Sequence, residues 1–449
     1  MHRLLAATAA LSLLVSGCSA TRTDSASADH PDPAGQPSSA QPSTAQPSEP
    51  QPSSEQPPES TNPQVAPRFE IVAGGGTDAN ATQALGAKIG GAVWDIEFAR
   101  DGTANLLINS LDHKRLERIR PDGTRTVVPL DQAWRMGTEI AVGPDGSAYI
   151  DLRIGTKKNT VYRIKPAGSL EPVIDYDTAI SGLDDSASLQ AAPSNGEQSG
   201  QAPSDFTAFT VDPAGRLVFA VNVNGKAQAG AVVRRVEADG TVRTIAGKPA
   251  KFTTVDAAKA ATPAAIWPPA GTRALDWTTT ATMRITQLES QPDGTITLGT
   301  DGVISGAVDF SVLAITSSGT VNRLAASQLT GSASFGAQVA EAPFTREGHI
   351  QAIGVLSNGM SAAAGLLAVG TTQPPPQDTS RYYNGKYTPG QRAILGKARG
   401  RAIRLIRPDG SFSTAALGEN FVLHGGYLYV VERNSLADEL VLGRVKIPA

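Results

Sequence analysis

A chain of 449 residues with 40% hydrophobic content can bury a large core, but aromatics make up only 5% while glycine (45) and proline (31) are abundant, which favours short strands and turns over long helices. A formal charge of −3 gives no reason to expect a nucleic-acid partner, which needs a concentrated basic surface. The single cysteine, Cys18, excludes an intramolecular disulfide.

The chain opens "MHRLLAATAALSLLVSGC". His2 and Arg3 form a short polar start, Leu4 to Val15 an apolar run too short to span a bilayer as a stable helix, and Val15-Ser16-Gly17-Cys18 a small-residue cleavage site. This run resembles a bacterial lipoprotein signal with its lipobox. The resemblance implies cleavage of residues 1–17, acylation of Cys18 and a lipid-anchored, extracytoplasmic place on the cell membrane. An ordinary secretory signal with an incidental cysteine is the alternative. Residues 18–67 follow, rich in Ser, Pro and Gln, with Gln-Pro recurring at Gln36, Gln41, Gln46, Gln51 and Gln56. Such a segment buries too little surface to offset its ordering entropy and reads as a disordered tether, about 40 Å long as a coil and up to about 150 Å as polyproline II.

From Arg68 onward one signal recurs: an apolar strand, a turn ending in glycine, and a second strand. "IRPDG" occurs at Ile119–Gly123 and again at Ile406–Gly410. Six hairpins follow one pattern, "DIEFARDGTANLLI", "EIAVGPDGSAYI", "FTVDPAGRLVFAV", "LESQPDGTITL", "IGVLSNGMSAA" and "FVLHGGYLYVV". Five follow another, from "LERIRPDGTRTVV" to "AIRLIRPDGSFST". A four-stranded antiparallel unit needs one of each. The last unit has one further strand, "ELVLGRVKI", and lacks a fourth, whereas "RFEIVAG" at Arg68–Gly74 precedes the first unit without a partner. Joining the two predicts an all-β, six-bladed propeller over residues 68–449 whose last blade is closed by the N-terminal strand, leaving no free sheet edge around the ring.

"IVAGGG" at Ile71–Gly76 and "TIAGKPAKFTTVDAAKAATP" at Thr244–Pro263, with the paired Gly hairpins, resemble NHL repeats, blades one to three fitting best. That resemblance implies binding of a peptide, protein, RNA or envelope ligand, or, in a minority of relatives, lyase chemistry; fold alone does not choose.

Long insertions at Asp177–Pro203, Ala250–Met283, Gln328–Gly348 and Thr371–Arg399 all fall on the face opposite the short hairpins, a usual place for recognition. The last interleaves Tyr382, Tyr383 and Tyr387 with Arg381 and Lys386, residue types that supply contact energy and attract an acidic partner; a solvated loop whose tyrosines pack on the domain's own surface is the alternative. Trp267 and Trp277 in another insertion are expected to line a pocket or to pack on the blades. This makes an extracytoplasmic protein, peptide or glycan the expected ligand of the long-loop face.

Seven residues before the six turn glycines of the first pattern stand Asp95, Glu139, Ala208, Gln287, Ala352 and Glu419, at one level of the central channel. Asp95, Glu139 and Glu419 are candidate oxygen ligands for a hard divalent cation such as calcium; a solvated channel with no metal is the plainer alternative. Of the folded part's histidines, His113, His349 and His424 are expected in three separate places, so they cannot share one zinc. A metal-dependent lyase or hydrolase at the channel mouth, using Asp95, Glu139 and His349, remains the competing functional class.

Overall fold

The computed structural model describes residues 68–447 except 110–113, 133, 154–159, 181–182, 184–207, 225–227, 252–267, 270, 280–282, 305–306, 328–342, 347–348, 353–355, 364–365, 372–381, 384, 398–400, 408–411, 419 and 435. Cys18, the tether, His113, Trp267, Arg381 and Glu419 therefore lie outside the described residues.

Six antiparallel sheets follow one another along the chain. Blade one comprises Ala92–Phe98, Ala104–Asn109, Lys114–Ile119 and Arg125–Pro129, and blade two runs from Arg135–Val142 to Leu170–Asp175. Blades three and four carry short extra strands, and blade five ends with Arg401–Ile406 paired to Phe412–Gly418. Blade six holds Asn420–His424, Tyr427–Asn434 and Glu439–Lys446, with Phe69–Gly74 antiparallel to Glu439–Lys446 as its fourth strand. The N-terminal closure expected from the unpartnered strand is thus present.

The turn chemistry explains the recurring Asp-Gly. Eight of the hairpin glycines, Gly102 through Gly319, have φ between 76° and 90°, which a side chain rarely adopts. Where Asp precedes the Gly, its carboxylate accepts the backbone N–H two residues on, as in Thr103 N to Asp101 Oδ1 (2.9 Å), Thr124 N to Asp122 Oδ1 (2.8 Å) and Thr295 N to Asp293 Oδ1 (2.9 Å). Two expectations are corrected. Gly359 of "LSNGM" lies inside the strand Leu356–Ala363, whose partner begins at Leu366, so it is not the turn glycine of the blade-five hairpin. His349 and Ala352 belong to a short strand paired with Pro343–Arg346 on the outer side of blade four, not to the inner strand of blade five.

The apolar core is divided by seams. Each of the six clusters of buried residues draws on two neighbouring blades, for example Leu107 and Leu116 with Ile140 and Ile150 between blades one and two, and Ile403 and Leu405 with Leu428 and Val430 between blades five and six. One seam of interleaved aliphatic side chains per blade pair lets burial drive ring closure. Blade one also carries a buried ion triad. Glu117, fully buried, accepts Arg125 Nε (2.7 Å) and Arg115 Nε (2.7 Å), while Arg125 Nη1 donates to the carbonyl of Ala79 (2.8 Å) and Arg115 Nη2 to that of Gly90 (2.7 Å). The triad fastens residues 79–90, between the closure strand and blade one, onto the first sheet.

Candidate functional site

The inner strands surround the channel, and a β-bulge interrupts those of blades one, two, four and five, between Val93 and Asp95, Met136 and Ile140, Ile285 and Gln287, and Leu356 and Met360. A bulge re-aims the side chain beside it. On these strands, and on the regular inner strands of blades three and six, side chains reach across to the next blade. Asp95 Oδ2 accepts Ile140 N (2.9 Å), Glu139 Oε2 accepts Phe209 N (3.2 Å) and Thr210 Oγ1 accepts Ser290 N (3.2 Å). Gln287 Oε1 accepts Met360 N (2.8 Å), Ser361 Oγ accepts Leu423 N (2.9 Å), and Asn420 Nδ2 donates to Val93 O (2.6 Å). Every one of the six seams is bridged by an inner-strand side chain.

Asp95 and Glu139 are therefore seam clamps. Both oxygens of Asp95 are engaged by backbone donors, the second from Ile96 N (2.8 Å). Among the described residues no group of three or more His, Cys, Asp or Glu side chains is placed to hold a metal ion. Burial in the channel pushes Asp95 up to about 7 against those hydrogen bonds. Burial, then repulsion by Asp95, holds Glu139 well above the ordinary glutamate value.

Two residues beyond that level, on the same face of the strand, stands a second tier: Glu97 in blade one and Glu289 in blade four, opposite each other in the ring. Glu289 is another clamp, accepting Ala362 N (2.6 Å) and Ser361 Oγ (3.0 Å) from blade five. Glu97 accepts only Phe98 N (3.0 Å) among the described residues and bridges no seam. Burial raises Glu289 to about 8; burial and then repulsion by Glu289 and Asp95 hold Glu97 well above its ordinary value.

Glu97 and Glu289 form the floor of a cavity of about 480 Å³ that opens among the first-pattern hairpins and takes residues from all six blades. Its walls are largely apolar, with Val211, Val422 and Leu423 among them. Three turn prolines, Pro144, Pro213 and Pro292, stand at its rim, and Arg100 occupies the corresponding place in the blade-one turn. His424 stacks on Phe98 with ring centroids 4.6 Å apart, and burial lowers its pKa against the pull of Asp101. Asp212, also at the cavity, is held by Arg216 at 2.7 Å.

No family model matches the chain, and no curated protein matches it. Among solved structures it is similar to TolB from Acinetobacter baumannii (11% identity, TM-score 0.37), covering 78% of this chain and 63% of that one. It is also similar to the PQQ-bound aldose sugar dehydrogenase from Streptomyces coelicolor (11%, TM-score 0.40, 85% and 98%) and to a catalytically inactive virginiamycin B lyase from Staphylococcus aureus with quinupristin (10%, TM-score 0.37, 85% and 99%). At these values the likeness is one of architecture, and the propeller assignment rests on the six sheets themselves.

Among the described residues of the long-loop face, three of the named aromatic side chains pack inward. Trp277 is 1% exposed within the core cluster between blades three and four, so it is not a ligand surface. Tyr383 and Tyr387 turn inward: Tyr383 packs edge-on against Phe69 (5.4 Å) and its hydroxyl hydrogen-bonds Glu432, while the Tyr387 hydroxyl donates to Phe69 O (3.0 Å). The helix Pro389–Leu395, started by a Thr388/Gln391 capping box with proline in its first turn, buries Ile394 and Leu395 beside them. Of the basic and aromatic set in this insertion, Lys386 is exposed and Tyr382 half-buried. Sequence reasoning missed Glu97, Glu289 and Arg100; the signal was available as the acid five residues before Gly102 and before Gly294.

Proposed function

We propose that this protein is a lipid-anchored, extracytoplasmic binding protein: cleaved before Cys18, held off the membrane by residues 18–67, and presenting an NHL-like propeller that takes a small envelope or extracellular ligand in the hairpin-face cavity. The observation that carries the reading is the cavity itself, about 480 Å³ and built from all six blades. That volume lies in the range of small-molecule sites, and apolar walls over a few convergent polar groups are the usual composition of such sites. The lipobox at Val15–Cys18 and the Gln-Pro tether support the address. The inward packing of Tyr383, Tyr387 and Trp277 favours the hairpin face over the long-loop face as the place of recognition.

The test is retention of a ligand from a cell-envelope small-molecule extract, read by native mass spectrometry on the full chain. The exposed rim residue Pro213 changed to Trp covers the mouth without touching the core. A mass retained by the parent and lost from Pro213→Trp supports the reading. Equal retention by both moves recognition off this face.

A further inference from the structure

The ring repeats one design six times, so departures from the repeat single out what the scaffold does not need. At the tier five residues before the turn glycine, blades two and three carry Ala141 and Thr210, whereas blade one carries Glu97. In the turn itself blades two, three and four carry Pro144, Pro213 and Pro292, whereas blade one carries Arg100. Both departures are in one hairpin and both side chains line the same cavity.

Neither has a structural task. Every other acid of the two tiers that is described clamps a seam, while Glu97 accepts a bond only from its own neighbour and its second carboxylate oxygen has no partner among the described residues. Placing a carboxyl against Glu289 costs repulsion that a neutral residue avoids. Arg100 is exposed at the rim and makes no ion pair among the described residues, unlike Asp212 across the cavity, which Arg216 holds. The cavity thus has two carboxyl groups at its floor, which a bound cation would hold ionised, an arginine at one point of its rim, and largely apolar walls between.

We infer that the hairpin-face cavity takes a small zwitterion, its ammonium group seated between Glu97 and Glu289, its carboxylate at Arg100 and its apolar side chain against Val211, Val422 and Leu423. This rests on the binding reading above and names the ligand class of the same cavity. The floor carboxylates would supply charge-assisted acceptors for the N–H groups, and the arginine a two-pronged donor for the carboxylate.

Isothermal titration of the full chain with leucylglycine, N-acetyl-leucylglycine, leucylglycine amide and the neutral trisaccharide maltotriose decides it. The expected result is binding of leucylglycine, weakened about tenfold or more by N-acetylation or by Glu97→Gln. Amidation weakens binding to the parent but not to Arg100→Ala, because the rim arginine is the group that reads the carboxylate. Acetylated peptide binding as tightly as the free amine, or no peptide binding at all, overturns the inference. Maltotriose binding that Pro213→Trp abolishes would overturn the zwitterion and leave the cavity standing as the site. Peptide binding unchanged in Pro213→Trp would overturn both. Glu97→Gln preserves shape and Arg100→Ala lies on the surface, so a thermal melt matching the parent establishes that lost binding is not lost fold.

Discussion

The hydroxyl of Tyr387 donates to the backbone carbonyl of Phe69 at 3.0 Å, joining residues 318 positions apart in the chain. Phe69 begins the strand that closes the ring, and Tyr387 belongs to the longest insertion of blade five. That insertion therefore straps the closure strand in place, with Tyr383 and the helix Pro389–Leu395 beside it. Tyr387→Phe removes the donor while keeping the ring. It should cost about 1 kcal/mol and speed hydrogen exchange in Phe69–Gly74 more than in blades two to four. Uniform exchange changes across all six blades would contradict the strap.

The Glu117 triad should behave as a buried charge network. Glu117→Gln leaves Arg125 and Arg115 facing a neutral amide in a fully buried setting, and the expected loss is about 3–5 kcal/mol. Chemical denaturation of the variant against the parent measures it. A loss under about 1 kcal/mol would mean that water replaces the carboxylate.

The channel acids make stability depend on pH in a known direction. Asp95 is raised to about 7 and Glu289 to about 8 in the folded state, above their reference values of 3.8 and 4.5. The folded protein thus binds protons more tightly than the unfolded chain, so this contribution is complete below the reference values and is lost as pH rises through the folded ones. The melting temperature should fall between about pH 5 and pH 8, and Glu289→Gln, which keeps a neutral hydrogen-bonding group there, should flatten that slope. A melting temperature rising over the same interval would contradict the assignment.

Membrane attachment has its own test. Cys18→Ser should shift the protein from the membrane fraction to the soluble extracytoplasmic fraction, since the acyl chains have no other attachment in the proposed scheme. Retention of the variant in membranes would remove the lipid anchor from the account.

The ring closure was legible because Arg68–Gly74 had no partner and the last blade lacked a strand, a counting argument that needs only antiparallel pairing. The turns were legible where Asp-Gly dictates local geometry, and failed at Gly359, where "SNG" has turn chemistry but pairing with Val369 and its neighbours carries the strand through it to Ala363. For Tyr383 and Tyr387 the sequence left packing and recognition open, because an amphipathic ring serves a surface and a seam equally well; their contacts with Phe69 show that they pack. The acids at Asp95 and Glu139 were found at the right level, yet their cross-seam partners, Ile140 N and Phe209 N, are backbone groups without a sequence signature. Glu97 and Glu289 lie two residues beyond Asp95 and Gln287 on the inner strands of blades one and four.

Hydrogen–deuterium exchange of the full chain with and without the ligand retained from envelope extract tests the central claim most directly. Recognition in the hairpin-face cavity predicts protection at the inner-strand ends, Ala92–Phe98, Met283–Ser290 and Asn420–His424. Protection confined to residues 382–397, with those inner strands unchanged, would contradict it.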